Sequence, residues 1–281
     1  AHSFGVPAVV AETCDDFATA LSDALQANDG PRLIVAALRK STAPAKTPPL
    51  AAPAPPKVPE YHSDPWRLLV ESAAKRPEHL ALWQDGACSL TYVELHRLAS
   101  SLAAYLRAHG FDAQRAGDRL GVLCANHWQL VPLHYATATL RGVLLNLNTR
   151  LSAQELAHIV SDAEPTWLFA EHGAMLKLAH EVRGLVPQLE MRVLRLTDGA
   201  DNGADVGFND AVAEGAAIVA KSGFEAASSA AEDGFQMYYT SGTSGRPKGV
   251  VLTRRNVLLH ALQCIVEHRL QSKDVWLHVA P

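Results

Sequence analysis

Ten consecutive residues concentrate the chemistry of this chain: Thr240, Ser241, Gly242, Thr243, Ser244, Gly245, Arg246, Pro247, Lys248 and Gly249. Three glycines let backbone N–H groups turn toward a ligand, four hydroxyl side chains add short donors, and Lys248 brings a mobile positive charge. Such a segment is suited to holding a polyphosphate. A β-type run, Gln236-Met237-Tyr238-Tyr239, enters it and a second, Val250-Val251-Leu252-Thr253, leaves it, which a flexible Gly/Ser linker would not have. The P-loop spacing G-x-x-x-x-G-K-[S/T] fails: counted from Gly242, Pro247 falls where the second glycine is needed and Gly249 where a magnesium-binding hydroxyl is needed. This is therefore a different phosphate loop. Its expected ligands to the phosphates are Thr240, Ser241, Gly242, Thr243, Ser244, Gly245, Lys248 and Gly249, and none of them has to act as a general base.

The remaining reactive side chains read as structural. Cys14, Cys88, Cys124 and Cys264 are far apart, with no C-x-x-C pair, and each lies in apolar sequence. They predict small buried hydrophobes in a reducing compartment rather than disulfides or a zinc site. His127, His134, His158 and His260 fall in apolar helical patterns and are expected to be packed or surface histidines; no metal site is expected. One of Tyr238 and Tyr239 should face the core, because strand side chains alternate. Glu232 and Asp233 read as a solvated turn.

The elements that must position the loop follow from periodicity. Thr91-Tyr92-Val93-Glu94 is a capping box, and Leu95, Leu98, Leu102 and Leu106 mark a helix that stops near Gly110. Strands are expected over Leu120 to Cys124, Gly142 to Leu147 and Thr166 to Ala170. Helices are expected over Trp128 to Leu140, after Ser152-Ala153-Gln154-Glu155, and from an Asn256 N-cap to about His268 with Leu258, Leu262 and Ile265 on one face. Strands alternating with helices predict an α/β fold, a mostly parallel sheet wrapped by helices. Thr197 to Gly234 reads as a long surface connection with one short helix near Asn209 to Glu214.

One discontinuity divides the chain. Seven of the sixteen residues from Pro44 to Pro59 are proline, which predicts a semi-rigid linker over residues 42–60. Before it, Phe17, Leu21 and Leu25 predict a helix starting near Thr13, and Arg32 to Leu38 a buried strand. These forty or so residues are too few to bury a core of their own, so residues 1–41 read as the tail of another α/β domain. Among 281 residues, 25 basic against 29 acidic side chains and a 48% apolar content give a globular composition without a bias toward nucleic acid. No apolar run suits a membrane span, and no secretion signal is apparent, which together predict an intracellular, cytoplasmic protein. The chain opens on Ala1 rather than Met and reads as a piece of something longer.

The loop from Tyr239 to Val250 resembles, at every position, the Y-T-S-G-[ST]-[TS]-G-x-P-K-G-V signature of the AMP-forming acyl-activating enzymes: acyl-CoA synthetases, luciferases and nonribosomal-peptide adenylation domains. Ser89 to Leu95 (SLTYVEL) and Gly142 to Glu155 (GVLLNLNTRLSAQE) also resemble that family, so the resemblance covers residues 61–281. It implies the incomplete amino-terminal part of an acyl-adenylating domain, with ATP, magnesium and CoA as cofactors and co-substrates. The implied reaction joins a small carboxylic acid to ATP, giving an acyl-adenylate and pyrophosphate, and then to the thiol of CoA or of a carrier protein. Thr240, Ser241, Thr243, Ser244, Lys248 and the loop amides would hold the β- and γ-phosphates. One position departs from the pattern: Arg254 stands where the family usually has histidine after Thr253. Arg254 and Arg255 either add positive potential near the nucleotide or are solvated charges at a helix start. The family's adenine and ribose motifs, its Y-G-x-T-E magnesium segment and its carboxyl-terminal lysine would lie past Pro281, so residues 1–281 alone are expected to be inactive. The alternatives are an adenylation domain loading a carrier protein, and a non-catalytic, mis-assembled fusion product that keeps only the nucleotide-loop fold.

Residues Phe4 to Leu38 resemble the carboxyl end of thiamine-diphosphate-dependent decarboxylases and acetolactate-synthase-like enzymes, where a helix leads through a Gly-Pro turn into a last strand. The Gly-Asp-Gly and downstream Asn that hold magnesium diphosphate there are absent from this stretch. Thiamine diphosphate is expected only with an intact upstream domain.

Overall fold

The structure is a computed structural model and describes residues 8–11, 33–36, 64–84, 86–111, 117–197, 205–240, 247–272 and 274–278. The chain forms two compact units, Ala1–Val58 and Pro59–Pro281. In the first, β1 (Ala8–Ala11) pairs in parallel with β2 (Leu33–Ala36), Ala8 opposite Leu33 and Ala11 opposite Ala36. Parallel neighbours need a crossover connection. The strand expected over Arg32 to Leu38 is found, shorter, as β2, and its partner β1 was not foreseen. The helix expected from Thr13 and the linker over residues 42–60 lie outside the described residues.

The second unit opens with α1 (Pro65–Lys75), whose N-cap Asp64 accepts a hydrogen bond from the Trp66 N–H at 3.1 Å, with proline at the first helical position where its missing donor costs nothing. A hairpin of β3 (Leu80–Gln84) and β4 (Cys88–Thr91) leads into α2 (Tyr92–Ala108). There the expected capping box is complete: Thr91 Oγ1 accepts the Glu94 N–H at 3.3 Å and the Glu94 carboxylate accepts the Thr91 N–H at 2.8 Å. Then follow β5 (Arg119–Leu123), α3 (Leu130–Thr139), β6 (Val143–Asn146), α4 (Ala153–Ala163), β7 (Trp167–Ala170), α5 (Ala174–Leu185), β8 (Arg192–Arg195), α6 (Phe208–Ser222), β9 (Gly234–Thr240), β10 (Lys248–Thr253) and α7 (Arg254–Glu267). Ser152 and Glu155 form a second capping box at the start of α4.

The sheet runs β10-β9-β6-β5-β7-β8 and is parallel except for the β9/β10 edge. From β5 the chain moves first to one side, to β6, and then returns across to β7. Right-handed crossovers in opposite directions put their helices on opposite faces, so α3 and α4 cover different sides. The strands accordingly bury both faces: Leu120, Leu144 and Phe169 pack with Leu102, Leu106, Leu133 and Phe208, while Leu145, Leu168 and Met237 pack with Leu156, Val160, Leu176 and Val182.

Two expectations about the elements are corrected. The short helix near Asn209 to Glu214 is the fifteen-residue α6, and it belongs to the core: Phe208 and Ala211 are fully buried. The small residues that made this stretch look like a connector are what allow α6 to approach α2 closely, since a Cβ built on Gly215 would lie 1.9 Å from the Ser101 carbonyl oxygen. In α7 the N-cap is Thr253, not Asn256, which sits three residues on and returns its amide oxygen to the Thr253 N–H at 3.0 Å. Of the residues expected on one face, Leu262 and Ile265 are exposed, as are Leu259 and Val266.

Gly215→Ala is predicted to destabilise the protein although alanine favours a helix interior by roughly 1 kcal/mol, because backbone cannot yield as a flexible side chain can. A net loss of about 1–3 kcal/mol is expected. Thermal unfolding checks it: an unchanged or raised midpoint would mean that α2 and α6 do not approach this closely.

Candidate functional site

The expected phosphate loop is rooted in a hairpin at the sheet edge. β9 and β10 are antiparallel, with Lys248 opposite Thr240 and Gly249 opposite Tyr239, so the two ends of the loop leave from facing positions. β9 is held on its other side by β6, Gln236 opposite Leu144 and Met237 opposite Leu145. Thr240, Lys248 and Gly249 are exposed. Ser241, Gly242, Thr243, Ser244 and Gly245 lie outside the described residues. Gly249 has a clear local role: a Cβ there would lie 2.3 Å from Met237 Cε and 3.1 Å from the Tyr239 ring. The glycine lets the outgoing strand close on the incoming one just before the loop.

Side chains of β9 tie the hairpin to both layers of helices. Tyr239 is half-buried beside the α4 and α5 core, and its hydroxyl donates to the Asp162 carboxylate of α4 at 2.5 Å. Burial and that carboxylate push the phenol well above its ordinary range. Tyr238, on the opposite face, is more exposed and donates its hydroxyl to Gln236 Oε1 at 3.1 Å. Gln236 Nε2 lies 2.9 Å from His134 Nε2, and His134 Nδ1 lies 3.0 Å from the Leu130 carbonyl. A neutral imidazole with its proton on Nδ1 satisfies all three groups, and burial holds the His134 pKa below the usual histidine value. His134 is a packed residue, as expected. Of the two tyrosines, Tyr239 is the one directed to the core.

At the other end of β10, Arg254 is not the solvated charge that one of its two expectations described, because its side chain is fully buried. Its Nη1 donates to Asp64 Oδ1 at 2.6 Å and its Nη2 to the Ala138 carbonyl at the end of α3. Its N–H donates to the Asp233 carbonyl at 3.0 Å. Asp233 is not a solvated turn residue either: its carboxylate takes both Nε and Nη2 of Arg141, at 2.9 and 3.1 Å, and the Ala230 N–H at 2.9 Å. Burial works to raise this carboxyl, but the Arg141 hydrogen bonds and the backbone donor outweigh it and hold it below the ordinary range. Glu232 and Arg255 form a separate, exposed pair at 2.7 Å. This network was missed because two of its members, Asp64 and Arg141, are distant in sequence from Arg254 and Asp233, and no spacing pairs them.

The Asp233 shift predicts a pH dependence. A carboxyl whose folded pKa is depressed contributes stability above its unfolded pKa, near 3.9 for aspartate, and that stability is lost as pH falls through the folded value. Arg141→Met is therefore expected to cost about 2 kcal/mol at pH 7, and the difference from the unmodified protein should shrink as pH falls below about 4. Urea unfolding of both proteins across that range measures it; a difference that stays constant with pH would remove Asp233 from the account.

The family described as AMP-binding enzyme matches residues 69–281. A long-chain-fatty-acid–CoA ligase of Thermus thermophilus is 32% identical over 221 residues, covering 77% of this chain and 38% of that protein. A feruloyl-CoA synthase of Amycolatopsis sp. is 31% identical over 217 residues, covering 74% of this chain and 37% of its own length. Among solved structures, apo MatB of Rhodopseudomonas palustris superposes with a TM-score of 0.59 at 26% identity, covering 74% of this chain and 38% of that one. The chain thus spans less than two fifths of the length of these relatives. A mostly parallel sheet flanked by helices, an edge hairpin carrying the glycine- and hydroxyl-rich loop, and this match over residues 69–281 lead to one conclusion: the chain belongs to the AMP-binding enzyme family.

Proposed function

We propose that this chain supplies the nucleotide-phosphate-holding part of an AMP-forming acid–thiol ligase. Thr240, Ser241, Thr243, Ser244, Lys248 and the loop amides hold the β- and γ-phosphates of ATP. The oxygen of a small carboxylic acid attacks the α-phosphorus, the bond to the β-phosphate breaks, and pyrophosphate leaves. A thiolate then attacks the acyl carbon of the adenylate and AMP departs, leaving a thioester. The carboxylate is already nucleophilic, so the loop has to align groups and neutralise charge on the leaving pyrophosphate. The observation that carries this reading is the facing placement of Thr240 and Lys248 at the exposed mouth of the hairpin, with every position from Tyr239 to Val250 matching the family signature.

The magnesium in this reading arrives on the nucleotide, since Mg²⁺ is usually held by substrate phosphates, one or two carboxylates and water. Thr240 and its neighbouring hydroxyls suit that role as neutral donors to phosphate. Among the described residues no group of three or more His, Cys, Asp and Glu could hold an ion by itself. The thiol is that of CoA, as the names of the ligase relatives suggest; a phosphopantetheine thiol on a carrier protein is the second acceptor considered. Residues 1–41 are proposed to end a preceding α/β domain, residues 42–60 to link, and residues 61–281 to form the nucleotide-binding portion. No described helix is long and apolar enough to cross a membrane.

Because the relatives extend well beyond the matched region, residues 1–281 alone are expected to bind Mg·ATP but not to catalyse acid-dependent exchange of pyrophosphate into ATP. Lys248→Ala should weaken Mg·ATP binding about tenfold or more, the loss of one charge-assisted contact to phosphate. Titration calorimetry decides this: binding undiminished in Lys248→Ala, or exchange by residues 1–281, contradicts the proposal as stated.

A further inference from the structure

Arg254 is the first residue of α7 and directly follows the strand that leaves the phosphate loop. Its placement is costly. The cation is desolvated, it sits at a helix N-terminus where the backbone dipole disfavours positive charge, and its Nε has no hydrogen-bond partner among the described residues. A well-packed apolar side chain is commonly as stabilising as a buried ion pair. What a guanidinium provides that an apolar group cannot is direction, since its donors form a rigid planar fork.

The fork is aimed at two separate elements. Asp64 both caps α1, through the Trp66 N–H, and accepts from Arg254, while the Ala138 carbonyl belongs to the last turn of α3. The Arg254 backbone adds a third tie, to the residue just before β9. β10 needs these ties. Among the described residues it is the outermost strand, hydrogen-bonded to a neighbour on one side only, and its Val250 and Val251 are exposed. Its far end is held by the Thr253–Gly234 pairing, by the Arg255 N–H donating to the Ala231 carbonyl at 2.9 Å, and by Arg254, whose side chain reaches α1 and α3.

We propose that Arg254 is a positioning residue for the polyphosphate loop: by pinning the foot of β10 to α1 and α3 it fixes the register in which Lys248 faces Thr240. This rests on the phosphate-holding role proposed above.

The test uses the 281-residue chain and compares Mg·ATP affinity, by calorimetry, with the thermal midpoint in the absence of nucleotide. Arg254→Met is expected to weaken Mg·ATP binding roughly 10- to 100-fold, the scale of a misplaced binding group. Arg254→Lys, which keeps the charge but loses the fork, should recover only part of the affinity, and Asp64→Asn should fall between Arg254→Met and the unmodified chain. Gly215→Ala supplies a variant destabilised at a distant helix contact; it should bind Mg·ATP normally. The inference is overturned if Arg254→Met binds as the unmodified chain does, or loses no more affinity than Gly215→Ala. Should Arg254→Met fail to fold, Asp64→Asn decides: weakened binding supports the inference and unchanged binding overturns it. If the unmodified chain does not bind Mg·ATP, or Lys248→Ala binds it undiminished, the phosphate-holding reading itself fails and this inference with it. If Lys248→Ala binds weakly while the Arg254 and Asp64 variants bind normally, only the role of Arg254 is lost.

Discussion

The antiparallel pairing of β9 with β10 is the interaction on which the rest of this site depends. In a sheet that is otherwise parallel, each strand is separated from its neighbour in sequence by a crossover helix, and only a hairpin can bring two strand ends together across a short loop. Here that hairpin sets Lys248 opposite Thr240. The remaining elements hold it in place: β6 supports the inner strand, Asp162 of α4 takes the Tyr239 hydroxyl, and Arg254 fastens the outer strand to α1 and α3.

Much of the architecture was legible because its signals are local. The capping boxes at Thr91 and Ser152 announced α2 and α4, and continuous apolar runs announced β5, β6 and β7, whose residues are buried on both faces. Other elements carried signals that are just as local but went unread. The Asp64-Pro65 start of α1 is an N-cap followed by proline. For β8, the run Arg192-Val193-Leu194-Arg195 is too short to announce a strand alone, and it is pairing with β7 that makes it one.

Where reading from sequence failed, the cause was tertiary. The run of Ala and Gly through α6 looked like a connector because small residues give no strong helical stripe; their purpose appears only against α2, where the Ser101 carbonyl occupies the space a side chain would need. Asp233 looked like a solvated turn residue, and the pairings of Asp233 with Arg141 and of Arg254 with Asp64 went unread, because burial of an ion pair depends on partners that sequence does not place side by side. Conversely, Leu262 and Ile265, which periodicity puts on one apolar face, are exposed, since periodicity reports that a face is apolar without saying what covers it. The loop, by contrast, carries its glycine, hydroxyl and lysine pattern within ten residues and needs no distant partner to be noticed; the structure adds that its ends, Thr240 and Lys248, face one another.

Hydrogen–deuterium exchange of the 281-residue chain, with and without Mg·ATP, tests the central claim most directly. The account predicts that nucleotide slows exchange of the amides between Thr240 and Gly249 and leaves those of α5 and β8, across the sheet, unchanged. Protection confined to another part of the chain, or none at nucleotide concentrations that saturate binding, would contradict it.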